Sequence, residues 1–172
     1  MGKKHKTIVT HLEMTAPPRL PPVPRPLGKY ALMRVEKTPI HFYRYLYDTI
    51  GRNYVWVNRK RLADDALAAI IQHEDVDIYV LYCNGAPAGY FELDFRSKPR
   101  VELSFLGVMP EHIGKGLGRF LLGEAITLAW ARNPNRLIVQ TCTLDHPRAL
   151  PLYQRFSFSP CGQEEVVLEE LD

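Results

Sequence analysis

The sequence predicts a mixed α/β domain, an α+β sandwich in which helices cover a central sheet. A strand-like apolar run at 101–109 leads through a glycine-rich turn into a long helical pattern. Two further strand-like segments flank Asn84-Gly85, a dipeptide that favours a two-residue hairpin. Strand and helix periods alternate from Tyr30 onward, which favours helices packed on one sheet.

The individual elements follow from these periods in chain order. Gly51 ends a tyrosine-rich first helix, and Asp64 and Asp65 suit the first turn of a second helix. Asp145 or His146 is placed to cap the last helix. The predicted elements are a strand at 30–35, helices at 40–50 and 63–73, strands at 76–83, 88–95 and 101–109, a helix from the glycine turn to about 132, a strand at 137–143, a helix at 147–155 and a strand at 158–168.

Residues 1–29 differ in composition from the rest of the chain. They carry six basic residues and one acidic residue, whereas residues 30–172 carry 16 basic and 18 acidic residues. The nearly neutral body argues against nucleic-acid binding. The proline run at 17–26 favours polyproline II and cannot form a ladder. We therefore expect residues 1–29 to be a flexible, basic, proline-rich extension, and residues 30–172 to be the folded domain.

Composition excludes several other classes of protein. Hydrophobic residues make up 46% of the chain, which is enough for a packed core, yet no apolar run approaches the roughly 20 residues that span a bilayer. The first residues lack the apolar stretch of a signal peptide. The three cysteines show no metal-type spacing. We expect a reduced cytoplasmic protein without membrane association or metal, and a homodimer is left open.

Gly114, Gly116 and Gly118 stand where the strand ends and the long helix begins. A glycine turn at a helix N-terminus exposes backbone N–H groups and partial positive charge, which suit phosphate oxygens. A P-loop is excluded because Lys115 is followed by glycine and not by Ser or Thr. A Rossmann fingerprint is excluded because Arg119 stands where that pattern has its last glycine. For the glycines alone, a plain turn without a ligand is the alternative.

The surrounding residues favour a phosphate ligand. The run from Gly107 to Leu122 resembles the acetyl-coenzyme A signature of the GNAT superfamily of N-acetyltransferases, whose pattern Gln/Arg-x-x-Gly-x-Gly/Ala aligns with 113–118. Residues 145–158 resemble the second signature, Asn-x-x-Ala-x-x-Leu-Tyr-x-x-x-Gly-Phe. The resemblance covers roughly residues 32–167. It implies the GNAT acyl-CoA N-acyltransferase fold, with a mostly antiparallel sheet splayed between its fourth and fifth strands, at 101–109 and 137–143.

Three residues depart from the family pattern. Ile113 replaces Gln or Arg, His146 replaces Asn, and Ser157 replaces the Gly before Phe158. The backbone donors of the glycine turn survive all three changes, so the resemblance still implies that acetyl-CoA binds as co-substrate.

The resemblance also implies how the cofactor is held. The strand around Gly107 would pair with the pantetheine arm, with the glycine allowing close approach and a bulge there opening the slot. The turn would wrap the pyrophosphate. The residues expected to contact the cofactor are Leu106, Gly107, Val108, Gly114, Lys115, Gly116, Leu117, Gly118, Arg119 and His146.

Tyr153 is the expected proton donor to the leaving thiolate, because it lies seven residues after His146, as the family tyrosine lies after its asparagine. A buried core tyrosine is the alternative. Glu102 is the expected base. It lies six residues before Val108, where the resemblance implies a glutamate that deprotonates the amine, and simple alternation places it on one strand face with Leu106 and Val108. A salt-bridged or solvent-facing strand glutamate is the alternative. His146 is a second candidate base, and a covalent route through Cys142 is disfavoured.

The acceptor pocket is expected from the first helices and their connection, where Tyr47, Trp56 and Arg59 would bind an amphipathic amine that bears a carboxylate. Ordinary core aromatics are the favoured alternative. Together these features predict an acetyl-CoA-dependent N-acetyltransferase acting by direct attack on a primary amine of a small molecule, peptide or protein. An acyl-CoA-binding sensor with little turnover, and a phosphate-binding structural domain, are the alternatives.

Overall fold

The structure, a computed structural model, describes residues 2–171. Met1, the first residue of the predicted extension 1–29, and Asp172, the last residue of the predicted domain 30–172, lie outside the described residues. Within these residues the chain forms one seven-stranded sheet and four α-helices. The elements are β1 (Lys4–Met14), β2 (Tyr30–Arg34), α1 (Ile40–Gly51), α2 (Asp64–Ile71), β3 (Val76–Cys83), β4 (Ala86–Asp94), β5 (Arg100–Val108), α3 (Leu117–Trp130), β6 (Arg136–Cys142), α4 (Ala149–Arg155) and β7 (Ser159–Glu169), with short 3-10 turns at Arg52–Tyr54 and Pro110–His112.

The strands lie in the order β2-β3-β4-β5-β6-β1-β7. Only β5 and β6 pair in parallel, and every other neighbouring pair of the sheet is antiparallel. The mixed, mostly antiparallel fold class predicted from the sequence is therefore confirmed. Each predicted element from Tyr30 onward is present, with ends that differ by no more than two residues. Asn84 and Gly85 both have positive φ, as a hairpin turn of this kind requires.

The N-terminal extension is the main error of the sequence analysis. Residues 4–14 are not a flexible tail but an integral strand, β1, which is inserted between β6 and β7 and is antiparallel to both. Leu12 and Met14 are buried in the core. The proline run at 17–26 belongs to no strand of the sheet.

The residues of β1 explain both the strand and the failure to predict it. Thr7, Ile8, Val9 and Thr10 form a β-branched run, which suits a pleated surface. Two of the buried positions are threonines, Thr7 and Thr10. The Thr7 hydroxyl is hydrogen-bonded to the Thr143 hydroxyl, and the Thr10 hydroxyl accepts a hydrogen bond from Gln163. Because these buried residues are polar, the alternation of apolar residues along β1 is weak.

The proline-rich segment that follows β1 is not free of the body either. Leu20 and Val23 are partly buried against the core that lies under α3. Gly123 on α3 faces Val23, since a Cβ at that glycine would lie 3.6 Å from Val23 Cγ2. The segment therefore drapes across α3 on its way to β2.

Helices cover the two faces of the sheet unequally. On one face, α1 and α2 enclose a core that includes Tyr47, Ile50 and Tyr90. On the other face, α3 and α4 enclose the larger core, to which Leu12 and Tyr153 belong. The helices α1 and α2 contact β3, β4 and β5. On this face, the part of the sheet formed by β6, β1 and β7 is therefore open and borders a cleft.

The sheet is splayed between β5 and β6, as expected. Their ladder runs only from Arg100↔Arg136 to Leu103↔Val139, and beyond it the two strands separate. A register shift in the β4–β5 ladder pairs Leu93 with Leu103 but Glu92 with Phe105, so Ser104 is an extra, bulged residue. The bulge therefore lies at Ser104 and not at Gly107, where it was predicted.

The bulge reverses the alternation of side chains along β5. Leu106 and Val108 pack on the core under α3 and α4. Glu102 pairs with Asp94 of β4, which lies two residues after Glu92 and so shares its face of the sheet. The Glu92 carboxylate accepts a hydrogen bond from Tyr43 of α1, so Glu102 lies on the α1 face. The prediction that Glu102 shares a face with Leu106 and Val108 is therefore wrong, because simple alternation does not account for an inserted residue.

Candidate active site

A cleft of about 900 Å³ opens at the splay and runs to both faces of the sheet. Its walls come from β5, the glycine turn, the start of α3, the β6–α4 connection and the segment after α1. On the α1 face its floor continues across β6, β1 and β7, through Cys142, Val9 and Glu164. The volume is at the upper end for small-molecule sites, which leaves room for two ligands.

The glycine turn lines one end of the cleft through Gly114, Gly116, Leu117, Gly118 and Arg119. Gly114 and Gly116 have φ values of +85° and +79°, which favour glycine. Gly116 is the N-cap of α3, so the first N–H groups of that helix face the cleft without helical partners. This geometry suits an anion, and phosphate oxygens in particular.

The charges at this end add to the attraction for an anion. Arg119, Arg148 and Arg155 line the cleft beside α3 and α4. Lys115 does not line the cleft, contrary to prediction, because its side chain is exposed outside it. It acts instead on the Cys83 thiol, whose pKa is raised by burial, with the Lys115 charge opposing.

The cleft is lined by Leu106, Gly107 and Val108, for which contact with the cofactor stays a prediction. The glycine at 107 also has a packing reason that was not predicted. A Cβ at this position would clash with Ile50 Cγ2 of α1 and crowd the ring of Trp56. The missing side chain therefore lets α1 and the segment after it close on β5. Backbone groups of the strand remain at the edge of the splay.

Tyr153 lies in the cleft wall and is held by the end of α4. The N–H of Phe158 donates to Tyr153 O and the N–H of Ser157 donates to Gln154 O, both at 3.1 Å, which is a Schellman motif. The rings of Tyr153 and Phe158 meet edge to face at 5.7 Å. Burial, followed by the Asp145 carboxylate, raises the pKa of Tyr153, so its phenol stays protonated at neutral pH.

Asp145 links the two walls of the cleft, although sequence analysis considered it only as a helix cap. Its Oδ2 accepts hydrogen bonds from the Thr141 hydroxyl at 2.7 Å and the Cys142 N–H at 3.0 Å. Its Oδ1 accepts a longer bond, 3.4 Å, from Trp56 Nε1. Both carboxylate oxygens thus accept hydrogen bonds from the protein itself.

His146 lines the cleft, and its ring centroid lies 6.4 Å from that of Tyr54. Nδ1 accepts the Arg148 N–H at 3.1 Å, immediately before α4. In the neutral imidazole the proton is therefore on Nε2, so His146 presents a donor and not a basic nitrogen to the cleft. This geometry fits a ligand contact better than the role of base.

Tyr47 and Trp56 of the expected acceptor pocket line the cleft, whereas Arg59 does not. Arg59 Nη2 donates to the fully buried Glu92 at 2.6 Å, and the guanidinium lies over the Phe105 ring. Burial raises the pKa of Tyr47 to about 12, and its hydroxyl oxygen accepts the Arg59 N–H. Arg59 therefore holds this wall in place and is unavailable to a carboxylate of the acceptor.

Glu102 is likewise not brought to the cleft. It is half-buried, and its pKa is raised by burial and then by Asp94, with Arg100 opposing. Its neighbours are the charges at the start of β5, on the far side of Phe105 from the splay. This position does not support the predicted role of Glu102 as the base.

Several cleft residues were missed by sequence analysis because they belong to strands whose place in the sheet was unknown. Val9 lies on β1, and Glu164, Val166 and Leu168 lie on β7. Their two-residue spacing on β7 was a detectable signal of one shared face. Their proximity to the glycine turn depends on the insertion of β1 and was not detectable.

Two features are absent from the part of the chain that the structure describes, a membrane-spanning helix and a cluster of metal ligands. None of its helices combines the length and apolar character needed to cross a bilayer. Within residues 2–171, no group of three or more His, Cys, Asp or Glu side chains is arranged to hold a metal ion.

Fold and cleft together define an acyltransferase-type domain, with a splayed sheet beside a glycine turn. The profile of the Acetyltransferase (GNAT) family matches residues 42–158. The chain belongs to this family, as its two sequence signatures predicted.

The relatives that follow are distant in sequence. Streptothricin acetyltransferase of Streptomyces lavendulae is 28% identical over 100 residues, which are 56% of this chain and 52% of that protein, so the chain aligns with about half the length of this curated relative. A GCN5-related N-acetyltransferase from Sphaerobacter thermophilus superposes with a TM-score of 0.65 at 17% identity, over 94% of this chain and 50% of the other. An aminoglycoside acetyltransferase from an uncultured soil metagenomic sample, in complex with sisomicin, superposes with a TM-score of 0.60 at 14% identity. The match covers 74% of this chain and 87% of the other. These structural similarities show the fold.

Proposed function

We propose that this protein is an acetyl-CoA-dependent N-acetyltransferase that acts on a primary amine of a small molecule. The observation that carries the proposal is the junction at the splay. There one cleft joins an anion-binding turn, a protonated tyrosine and an open sheet face. A two-ended cleft of this kind suits a ternary complex, in which both substrates are bound before transfer.

The residues present fit acetyl-CoA. Gly114, Gly116 and the first N–H groups of α3 would hold the pyrophosphate, and Arg119, Arg148 and Arg155 would add positive charge for the phosphates. The unpaired edge of β5 from Ser104 to Val108 offers backbone groups for the amides of the pantetheine arm. When bound, acetyl-CoA supplies the thioester whose acetyl group is transferred.

Tyr153 is proposed to protonate the thiolate that leaves after attack by the amine. Its raised pKa keeps the phenol protonated, and the Schellman motif and Phe158 fix its ring. Proton donation by a positioned side chain typically contributes about 10²–10⁴-fold to a rate.

Deprotonation of the amine is proposed to occur through solvent. Both oxygens of Asp145 already accept hydrogen bonds from the protein, His146 presents a proton, and Glu102 does not line the cleft. The amine would therefore react as its free base, which enters directly or loses a proton to water in the open cleft.

The proposal is tested by calorimetric titration with acetyl-CoA and by thiol release in the presence of primary amines. Gly116→Glu should weaken binding of acetyl-CoA strongly, because a carboxylate would stand where the pyrophosphate is expected. Gly116→Ala is the matched control, because it carries the same cost of positive φ, about 1 kcal/mol, without the charge.

Unchanged affinity in Gly116→Glu, with the fold retained by circular dichroism, would contradict the cofactor site. Binding without thiol release from any amine would identify a sensor and not an enzyme.

A further inference from the structure

The acceptor side of the cleft carries a carboxylate that the proposed reaction does not use. Glu164 of β7 lines the cleft, and its side chain is 58% exposed. His11 Nε2 lies 3.0 Å from Glu164 Oε1, so the carboxylate is oriented by its neighbour on β1. Among the described residues, the salt-bridge partner of Glu164 is His11, and no lysine or arginine pairs with this carboxylate.

The sheet fixes how far Glu164 lies from the splay. Cys142, Val9 and Glu164 form one row across β6, β1 and β7, because Val9 pairs with both of the others. Neighbouring strands are about 4.8 Å apart, so Glu164 lies roughly 10 Å from β6, the strand that borders the splay.

The surface between these two points is mostly apolar. Val9 and Val166 line the floor, and Trp56 of the opposite wall faces the cleft. Arg61 Nη2 donates to Glu169 O at 2.6 Å, so the connection after α1 reaches the end of β7. A chain of carbon atoms would lie along this apolar floor, and a cation at its end would meet Glu164.

We infer that Glu164 forms a second-cation subsite, which selects acceptors that carry an additional ammonium group about 10 Å from the amine that reacts. This inference rests on the proposed function for the position of the reacting amine. The acceptor class is a diamine or polyamine-like small molecule with an extended spacer. An acceptor that bears a carboxylate, as expected from the sequence, would be repelled by Glu164 at this end.

The subsite is tested with three amines: α,ω-diaminooctane, whose extended chain reaches the distance to Glu164, α,ω-diaminobutane, which is too short, and octylamine, which lacks the second cation. The kcat/KM of the wild type should be highest for diaminooctane. In Glu164→Gln the ratio of kcat/KM for diaminooctane to that for octylamine should fall roughly 3–10-fold, as expected for loss of a partly exposed ion pair.

Glu165→Gln is the matched control. It removes the same charge from the next residue of β7, which points to the opposite face, does not line the cleft and pairs with Ile8. Its ratio should equal that of the wild type. A ratio that is unchanged in Glu164→Gln, or that falls equally in Glu165→Gln, would overturn the subsite.

Failure of the proposed function is distinguishable from failure of the subsite. If no amine releases thiol, acetyl transfer is contradicted, and the subsite is then decided by titrating diaminooctane into the wild type and the two variants. Weaker binding to Glu164→Gln alone supports the subsite. Equal binding to all three proteins contradicts it.

Discussion

Replacing Leu12 with alanine would show whether the N-terminal segment is an integral strand or a flexible tail. Leu12 is fully buried, lies opposite Val139 on β6 and Pro160 on β7, and belongs to the core under α3 and α4. Core Leu→Ala replacements cost about 2–5 kcal/mol, because burial is lost and a cavity remains. That cost is a large fraction of a typical unfolding free energy of about 5–15 kcal/mol.

The expected loss is readily measured. For a domain of this size, 1 kcal/mol corresponds to a shift of roughly 2–4 °C, so the Tm of Leu12→Ala should fall by about 4–20 °C. Urea denaturation followed by circular dichroism should show a lower midpoint with an unchanged slope, which indicates loss of stability without a change in the surface exposed on unfolding.

Ile8→Ala on the same strand is the control, because Ile8 is 45% exposed. Its cost should be about 0.5 kcal/mol, as is usual for surface positions. If Leu12→Ala unfolds with the wild-type midpoint, or loses no more than Ile8→Ala, then β1 does not occupy the centre of this half of the sheet. In that case the tail predicted from the sequence would be correct.

Three further variants test the site and its support. Tyr153→Phe keeps the ring and should lower turnover by about 10²–10⁴-fold with little change in acetyl-CoA affinity by calorimetry; near-full turnover with chemistry rate-limiting would contradict the proton-donor role. Ser157 has φ +74° in the Schellman motif, so Ser157→Gly should raise the unfolding free energy by up to about 1 kcal/mol, and a clear loss in urea titration would contradict the geometry. The folded-state pKa of Glu102 is raised, so its ionisation destabilises the fold as pH rises above the ordinary value of 4.5. Glu102→Gln should therefore raise Tm at pH 7 more than at pH 4 and leave turnover unchanged; a loss of turnover would restore Glu102 as the base.

The sequence predicted the features that depend on local backbone geometry. Gly114 and Gly116 need positive φ, and Asn84-Gly85 needs a turn with two positive φ values, so residue type alone locates them. Ser157 is the informative exception. It occupies a left-handed position where the family pattern has glycine, and the two hydrogen bonds of the Schellman motif hold it there.

Features that depend on partners distant in sequence were not predictable in the same way. Glu102 was assigned to the wrong face because Ser104 is bulged, and neither Gly nor Pro marks that position. Arg59 was interpreted as a free cation because nothing in the sequence pairs it with Glu92, which lies 33 positions later in the chain. The position of the Glu102 side chain is decided by an inserted residue, and that of Arg59 by a buried counter-charge. Neither cause is visible in a local sequence pattern.

The N-terminal strand gives the most instructive consequence, because it connects stability with acceptor recognition. If β6 paired directly with β7, Glu164 would lie one interstrand spacing from the splay, about 5 Å, and a second cation at that distance would crowd the reacting centre. Insertion of β1 doubles the spacing and supplies Val9 for the floor and His11 for the carboxylate. The two roles lie on opposite faces of one strand: Leu12 packs into the core, and Val9 and His11 face the acceptor side. Leu12→Ala should therefore lower stability without altering the diamine-to-monoamine ratio at temperatures where the variant is folded, whereas His11→Ala should lower that ratio with little change in Tm.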